Sequence, residues 1–274
     1  MGLVKFDLHC HSSEGSTDAR FSILDHCRVL KEHGFGGLLI TDHDSYQGYE
    51  AYRLAGAKDN DFVVLRGIEY DTLEYGHFIV VLPNTVPQEL YDLLEHRGLP
   101  LSRLIKLVHG FGGILGPAHP FGEVFLSFAQ TKPWKKREKK RFMEQFDFLE
   151  GYNACESEED NLRARQLAHY FKLPLIAGTD AHAEDYLGKA CTYLPEWIRT
   201  EEDFIAYYKE GNCPKVWGRR YGHTTKDRIG FFNIYLVMGF YFYNKFGALW
   251  NYWKRKKLYG IVVKELRRSA GQAK

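Results

Sequence analysis

Cysteine is scarce in this chain of 274 residues, and its five cysteines contain no C-x-x-C pair. We therefore expect no disulfide framework and a reducing compartment. The N-terminus lacks a basic stretch followed by an apolar run, so we expect no signal peptide and a cytoplasmic protein. Internal repeats and low-complexity linkers are also missing, which leaves one large domain or a domain with an appendage.

The composition argues against wholesale disorder, because 45% of the residues are hydrophobic and 26% are charged. The charge is unevenly distributed. Residues 1–214 carry 23 basic and 33 acidic residues, whereas residues 215–274 carry 14 and 2, so the net charges are −10 and +12. These boundaries predict a catalytic or binding body and a basic, aromatic-rich C-terminal extension. The extension would bind an anionic surface or dock on the acidic body.

Short apolar runs recur along the body, each bounded by glycine, proline or polar residues. Several are almost continuous rather than alternating, which is typical of buried parallel strands. We predict seven strands, at residues 3–8, 36–41, 62–68, 77–82, 112–118, 146–152 and 173–178. Segments with helical spacing lie between most of them, and this alternation predicts a closed α/β architecture.

Imidazoles and carboxylates stand at the ends of these predicted strands. In a parallel barrel the strand C-termini share one face, which is where such enzymes carry their active sites. Residues two apart on a strand point the same way, so Asp7, His9 and His11 share one face and Cys10 points away. Nitrogen and oxygen ligands converging on one mouth predict a site for Zn²⁺, Mn²⁺ or Fe. The other groups at strand ends are His43, Glu69, His77, His119, Asp180 and His182.

These groups belong to motifs that follow one another in the body. The motifs are Asp7-x-His9-x-His11-Ser12, Asp18, Thr41-Asp42-His43-Asp44, Gly67-Ile68-Glu69, Gly76-His77, Ala118-His119-Pro120, Glu150-Gly151-Tyr152-Asn153 and Gly178-Thr179-Asp180-Ala181-His182. The ordered set resembles the PHP family, which is named after polymerase and histidinol phosphatase. The resemblance covers about residues 3–195. It implies a distorted (β/α)7 barrel with up to three divalent metal ions at its mouth.

The resemblance also implies how nine residues share these ions. One ion would be held by His9, His11, Glu69 and Asp180. A second would share Glu69 and add His77 and His119, and a third would take Asp18, His43 and His182. Asp7 would orient a ligand histidine, and Glu150 and Asn153 would contact the substrate.

Clustered cations bind phosphate oxygens and lower the pKa of a bridging water. The site therefore predicts hydrolysis of a phosphate ester by a metal-bridging hydroxide. The expected substrate is a small phosphomonoester, a nucleotide or a short RNA. The alternative is a non-catalytic, metal-stabilised module that supports a partner or a membrane complex. The residues expected to be catalytic are His9, His11, Glu69, His119, Asp180 and His182.

Only 49 residues separate Glu69 from His119, which leaves no room for a domain inserted there. We therefore expect the roof of the site to come from elsewhere, and residues 121–145 are the candidate. This segment contains the basic run 132–141, with seven basic residues in ten. The run would reach a second phosphate or an RNA backbone, or it would form a solvated helix face.

Residues 229–253 form an aromatic-rich segment with 11 aromatic residues and one charge, Lys245. The segment is long enough to span a membrane, but Asn233, Asn244 and Lys245 interrupt it. Its tyrosines and tryptophans suit the lipid headgroup region, and the flanking basic residues suit anionic lipid. We expect peripheral docking at the inner face of the membrane. The alternatives are packing on the barrel, packing on a second subunit in an oligomer, and a true span.

Overall fold

The computed structural model describes residues 2–56, 61–132, 135–222 and 224–272. Pro133 and Trp134 of the basic run, and His223, to which no role is assigned, lie outside them. The described strands are β1 (Leu3–Cys10), β2 (Phe35–Ile40), β3 (Val63–Arg66), β4 (Ile68–Thr72), β5 (Gly76–Val81), β6 (Ile114–Pro117), β7 (Leu149–Asn153), β8 (Leu175–Gly178), β9 (Ala190–Pro195) and β10 (Val216–Gly218). The described helices are α1 (Ile23–Glu32), α2 (Gln47–Leu54), α3 (Gln88–Leu94), α4 (Leu101–Gly110), α5 (Lys136–Met143), α6 (Glu158–Phe171), α7 (Glu201–Lys209), α8 (Thr225–Ile229), α9 (Asn233–Trp250) and α10 (Tyr252–Gln272).

Helix starts are set by side-chain caps that satisfy exposed backbone N–H groups. Ser157 Oγ accepts a hydrogen bond from Asp160 N at 3.0 Å at the start of α6, as the acidic first turn predicts. Thr200 and Asp203 form a reciprocal capping box at the start of α7. These caps fix where each helix leaves its strand, and thereby hold the strand ends in register.

The strands form three hydrogen-bonded sheets within the described residues. Their orders are β10-β9-β1-β2-β3, β4-β5-β6 and β7-β8. Short pairs of backbone hydrogen bonds join neighbouring sheets, and they include those from Asp180 N to His9 O at 2.7 Å and from Glu69 N to Asp42 O at 3.2 Å. The predicted α/β class is confirmed. A continuous barrel ladder is not seen in the described part of the chain.

The strand directions correct the expectation of an all-parallel body. β1, β2 and β3 are parallel, as are β7 and β8, but β5 runs antiparallel to both β4 and β6. The short connection between Thr72 and Gly76 forces this reversal, because a parallel crossover needs a dozen or more residues. As a result His77, at the start of β5, reaches the same edge as the ends of the parallel strands.

The C-terminal extension packs on the body. Val262 of α10 is fully buried in the same hydrophobic cluster as Leu94 of α3 and Leu104 of α4. β10 adds to the edge of the first sheet through β9. The separation of the chain at residue 214 stays a prediction about folding units. Among the described helices, none combines the length and the apolar character that crossing a membrane requires.

Candidate metal centre

The nine predicted ligand residues converge on one edge of the three sheets. His9 ends β1 with His11 just beyond it, Glu69 lies on β4 and His77 opens β5. The remaining ligands follow strands or lie in loops, and two of them have left-handed backbone, His119 at φ 27° and Asp180 at φ 52°. Non-glycine residues rarely adopt this conformation, and it tends to occur at functional sites. Here it turns each side chain back toward the cluster.

Four of these residues place one atom each at the spacing of a common metal ion. His9 Nε2 and His11 Nε2 lie 3.2 Å apart, and they lie 3.5 and 3.4 Å from Glu69 Oε2. Asp180 Oδ1 lies 3.7 Å from His9 Nε2 and 3.1 Å from His11 Nε2. Ligands held at about 2.1 Å in a tetrahedron are separated by about 3.4 Å. The three atoms of His9, His11 and Asp180 therefore lie close enough for one ion, and Glu69 Oε2 is at this spacing from both histidines.

Glu69 extends the cluster to a second pair of histidines. Its Oε1 lies 3.0 Å from His77 Nδ1 and 2.8 Å from His119 Nε2. His77 Nε2 is buried and lacks a hydrogen-bond partner within the described residues. Buried polar atoms without partners are costly. A cation at this site would give this atom a partner, so the donor set fits the metal ions that the resemblance implies.

Asp18, His43 and His182 form the outer part of the cluster. Asp18 Oδ2 lies 3.6 Å from His43 Nε2 and 3.4 Å from His182 Nε2. His43 also approaches the centre, with Nδ1 2.8 Å from Glu69 Oε2. Its position allows two further triads of ligand atoms, one with His11 and His182 and one with Glu69 and His77. The structure thus brings all nine residues together, and the sharing of ions among them stays a prediction.

Two hydrogen bonds fix the ring tautomers of site histidines. Glu150 Oε1 accepts from His9 Nδ1 at 2.9 Å, and the carbonyl oxygen of Asp180 accepts from His182 Nδ1 at 2.9 Å. Because these oxygens accept, each Nδ1 carries the hydrogen and the lone pair of Nε2 faces the cluster. This is the arrangement in which an imidazole binds a metal ion.

The charges of the cluster shift its pKa values in opposite directions. Burial opposes protonation of His9, but the carboxylates of Glu150, Asp180 and Glu69 outweigh it and raise the pKa well above its ordinary value. Burial also raises the pKa of Glu69, and the surrounding histidines outweigh this effect and hold it well below its usual range. His11 differs, because burial and the neighbouring His43 and His182 lower its pKa to about 3.

Glu150 and Asn153 hydrogen-bond to ligand residues in the structure, and their contact with substrate stays a prediction. Besides holding His9, Glu150 accepts from the backbone N of His119 at 2.5 Å. Asn153 Nδ2 donates to Glu150 at 3.2 Å and to Asp180 Oδ2 at 3.1 Å. Both residues are buried, so their polar atoms are used to orient ligand residues.

Asp7 also differs from its predicted role, because it orients backbone rather than an imidazole. Its carboxylate accepts from Thr179 N at 2.9 Å, from Thr179 Oγ1 at 2.5 Å and from His9 N at 3.3 Å. These bonds fasten the strand that carries His9 to the segment that carries Asp180. Burial raises the pKa of Asp7 to about 7. Cys10 points away as predicted, with Sγ 3.6 Å from Leu39 O in the apolar core.

Two serines that contact site histidines were not predicted from the sequence. Ser16 Oγ lies 3.3 Å from His11 Nδ1, donates to Asp42 at 3.0 Å and accepts from His43 N at 3.0 Å. Ser127 Oγ lies 3.1 Å from His119 Nδ1. Serines are common in loops and had no spacing signal, so the sequence alone could not single them out.

A cavity of about 250 Å³ opens onto the cluster. Its walls include six of the predicted ligand residues, and Glu123 and Leu126 contribute part of the rim. The expectation that residues 121–145 form the roof is therefore only partly correct, because helix α9 supplies the rest. The ring of Phe240 lies 5.9 Å from that of His43 and 6.3 Å from that of His77. The α9 residues at the cavity are Leu236, Val237 and Phe240.

The described residues of the basic run make their contacts away from the metal-site cavity. Lys139 Nζ donates to the carbonyl oxygens of Ala129, at 2.9 Å, and Thr131. Lys135 pairs with Glu138 at 2.7 Å. The described residues that line the cavity include none from this run. Contact of the run with a second phosphate or with RNA stays a prediction.

The comparisons with known proteins agree with the resemblance that the motifs indicate. Residues 158–213 match the family model for the PHP-associated segment. No curated protein matches the sequence. PsfC from Pseudomonas syringae is similar in structure at 17% identity and a TM-score of 0.59, over 86% of this chain and 98% of its own.

Two further structures share the fold. A two-domain protein of Bacteroides vulgatus, which contains a predicted PHP-like metal-dependent phosphoesterase, matches at 15% identity and a TM-score of 0.57. That match covers 79% of this chain and 65% of the other. Endonuclease Q, in complex with a 27-mer duplex that carries an abasic lesion at the active site, matches at 17% identity and a TM-score of 0.53. The shared region is 78% of this chain and 58% of that enzyme.

Proposed function

We propose that the chain is a metal-dependent hydrolase of phosphate esters of the PHP family. The observation that carries the proposal is the close approach of His9, His11, Glu69 and Asp180, at 3.1–3.7 Å for the pairs that include a histidine. We also propose that the three sheets together form the distorted (β/α)7 barrel. The non-catalytic alternative is not favoured, since no ligand position is lost.

We propose that two or three divalent ions, Zn²⁺, Mn²⁺ or Fe, are held by the nine converging residues. When bound, such ions neutralise the charge of a phosphate ester and activate water for attack on phosphorus. The protein's own residues hold the ligand side chains in place. Glu150 holds the Nδ1 proton of His9, Ser127 supports His119, and Asn153 orients Asp180. Phe240 covers the cluster and excludes bulk water, which strengthens its electrostatic interactions.

The size of the cavity favours a small substrate. Its volume of about 250 Å³ is at the lower end of the roughly 300–1,000 Å³ typical of ligand sites. We therefore propose a small phosphomonoester or a single nucleotide, and place short RNA behind them. Endonuclease Q binds a nucleic-acid duplex on the same fold. In this chain, however, residues of α9 line the cavity, which leaves less room for a nucleic acid.

The test uses the full-length protein loaded with metal. We expect two to three ions per chain by elemental analysis and hydrolysis of p-nitrophenyl phosphate that chelation abolishes. Asp180→Asn should lower kcat/KM by about 100-fold or more, because loss of one ligand disturbs both metal position and water activation. Cys10→Ala is the matched control, a buried residue on the opposite face of the same strand ends, and should retain metal and activity. Less than one ion per chain, or a fully loaded protein without esterase activity, would reject the proposal.

A further inference from the structure

Helix α9 exposes several large apolar side chains on one side. The exposed fractions of Phe242, Phe246 and Trp250 are 61%, 64% and 78%. At 100° per residue these side chains share one side of the helix. We call this side the outer face, and its large residues are Tyr235, Met238, Phe242, Phe246, Leu249 and Trp250. The outer face contains no charged residue.

Three polar residues of α9 hydrogen-bond to the body. Asn233 Nδ2 donates to Glu123 Oε1 at 2.9 Å, and Arg97 Nη1 donates to Asn244 Oδ1. Lys245 Nζ donates to the carbonyl oxygens of Thr72, at 3.2 Å, and Leu73, at 2.9 Å. The sequence analysis counted these residues as interruptions of an apolar segment. In the structure they attach α9 to the body and leave the outer face uninterrupted.

The outer face continues beyond both ends of α9. Phe231 and Phe232 precede it with exposed fractions of 81% and 69%, and Trp253 follows it at 74%. Soluble monomers rarely expose contiguous apolar patches beyond a few hundred Å², and larger ones mark interaction sites. Tyrosine and tryptophan at such a surface are typical of the lipid headgroup region.

The positive charges next to the outer face favour a negatively charged partner. Lys254, Lys256 and Lys257 are exposed at the start of α10, and Lys256 Nζ lies 5.2 Å from the ring of Trp253. Basic residues beside exposed aromatics favour anionic lipid, at about 1 kcal/mol per charge near the surface. A second copy of the chain is a poorer partner, because two extensions of net charge +12 would repel each other.

We propose that the outer face of α9 docks the protein on an anionic lipid bilayer as an interfacial helix. The inner side of the same helix covers the metal-site cavity through Val237 and Phe240, while Leu236 lies at the edge between the two sides and is 56% exposed. Docking would therefore place the cavity beside the lipid headgroups. Resting on the proposed function, this assigns the substrate to phosphate monoesters presented at a membrane surface.

The docking test compares full-length, metal-loaded protein on two kinds of vesicle. Wild type should sediment with phosphatidylcholine–phosphatidylserine vesicles, remain in the supernatant with phosphatidylcholine alone, and be released by high salt. Phe246→Ser combined with Trp250→Ser should weaken partitioning by at least about tenfold, because buried apolar area drives interfacial binding. Tyr170→Ser is the matched control, since Tyr170 is 72% exposed on α6, outside the extension. Lys254→Glu with Lys257→Glu should weaken binding too, whereas Lys31→Glu on α1 should not.

Several outcomes would overturn docking. They are wild-type protein that stays in the supernatant with both vesicles, equal sedimentation of the serine variants, or a stable dimer that these variants abolish. Activity separates this proposal from the proposed function. The serine variants should hydrolyse p-nitrophenyl phosphate like wild type, but phosphatidic acid in vesicles more slowly. Vesicle binding without any esterase activity overturns only the function, and activity on the soluble ester alone overturns only the membrane substrate.

Discussion

Metal binding should release protons from the site histidines, and the apparent affinity should therefore depend on pH. Burial opposes protonation of His119, but its hydrogen bond to Glu69 and the charge of Glu69 raise its pKa to about 9. A metal ion binds the neutral imidazole, so at pH 7 a proton must leave first. Two pH units correspond to about 2.7 kcal/mol, or about 100-fold in apparent affinity. Affinity should thus rise by at least this factor from pH 7 to pH 9.

His11, Glu69 and Asp180 should not contribute, whereas His9 and His43, whose pKa values are also raised well above their ordinary value, should release protons too. The pKa of His11 is about 3, and those of Glu69 and Asp180 lie well below their usual range, so these groups carry no proton at pH 7. The assay is competition with a chromophoric chelator across this pH range, together with calorimetry in two buffers of different ionisation enthalpy. His119→Gln should lower the number of protons released. His26→Gln is the control, because burial lowers the pKa of His26 to about 4. An affinity that is equal at pH 7 and pH 9 would refute the reasoning.

Three further substitutions test the packing around the site. Val262→Ala should lower the free energy of unfolding by about 2 kcal/mol in urea denaturation, because Val262 is fully buried between α10 and the body. Gly178→Ala should abolish metal binding or folding, measured by elemental analysis and circular dichroism, since its Cβ would lie 2.3 Å from His9 Cβ. Phe240→Ala should raise kcat/KM for bulky aryl phosphates relative to methyl phosphate, because Phe240 covers the cavity.

The candidate site was predictable because its signal is local. A strand alternates its side chains, so the spacing of Asp7, His9 and His11 already places three groups on one face. Cys10 falls on the other face for the same reason, and its sulfur lies against Leu39 O. The spans of most strands followed from apolar runs, which report burial directly. Neither inference needed the path of the chain between elements.

The direction of β5 could not be predicted without knowing the path of the chain between the strands. One apolar run covers residues 77–82, and its composition is the same whether the strand is parallel or antiparallel. β4, at Ile68–Thr72, was merged into the preceding prediction, although residues 67 and 68 separate two different ladders. The reversal decides the chemistry, because it is what places His77 3.0 Å from Glu69 Oε1. β9 and β10 were not predicted, and β10 has only three residues at the edge of its sheet, too few for a periodic signal.

The role of α9 could be reached only by reading its residues in three dimensions. Along the sequence, Asn233, Asn244 and Lys245 lower the apolar character of the segment and weaken any membrane prediction. On a helix, Asn233 and Asn244 are eleven residues apart, which is about three turns, so they lie on one side. An ordinary surface helix buries its apolar side and exposes its polar one. α9 departs from this pattern, because Asn244 is buried together with Val237 and Ala248 while Phe246 is 64% exposed. The proposed lipid surface would cover these exposed aromatics, and the lysines that follow would face its negative charge.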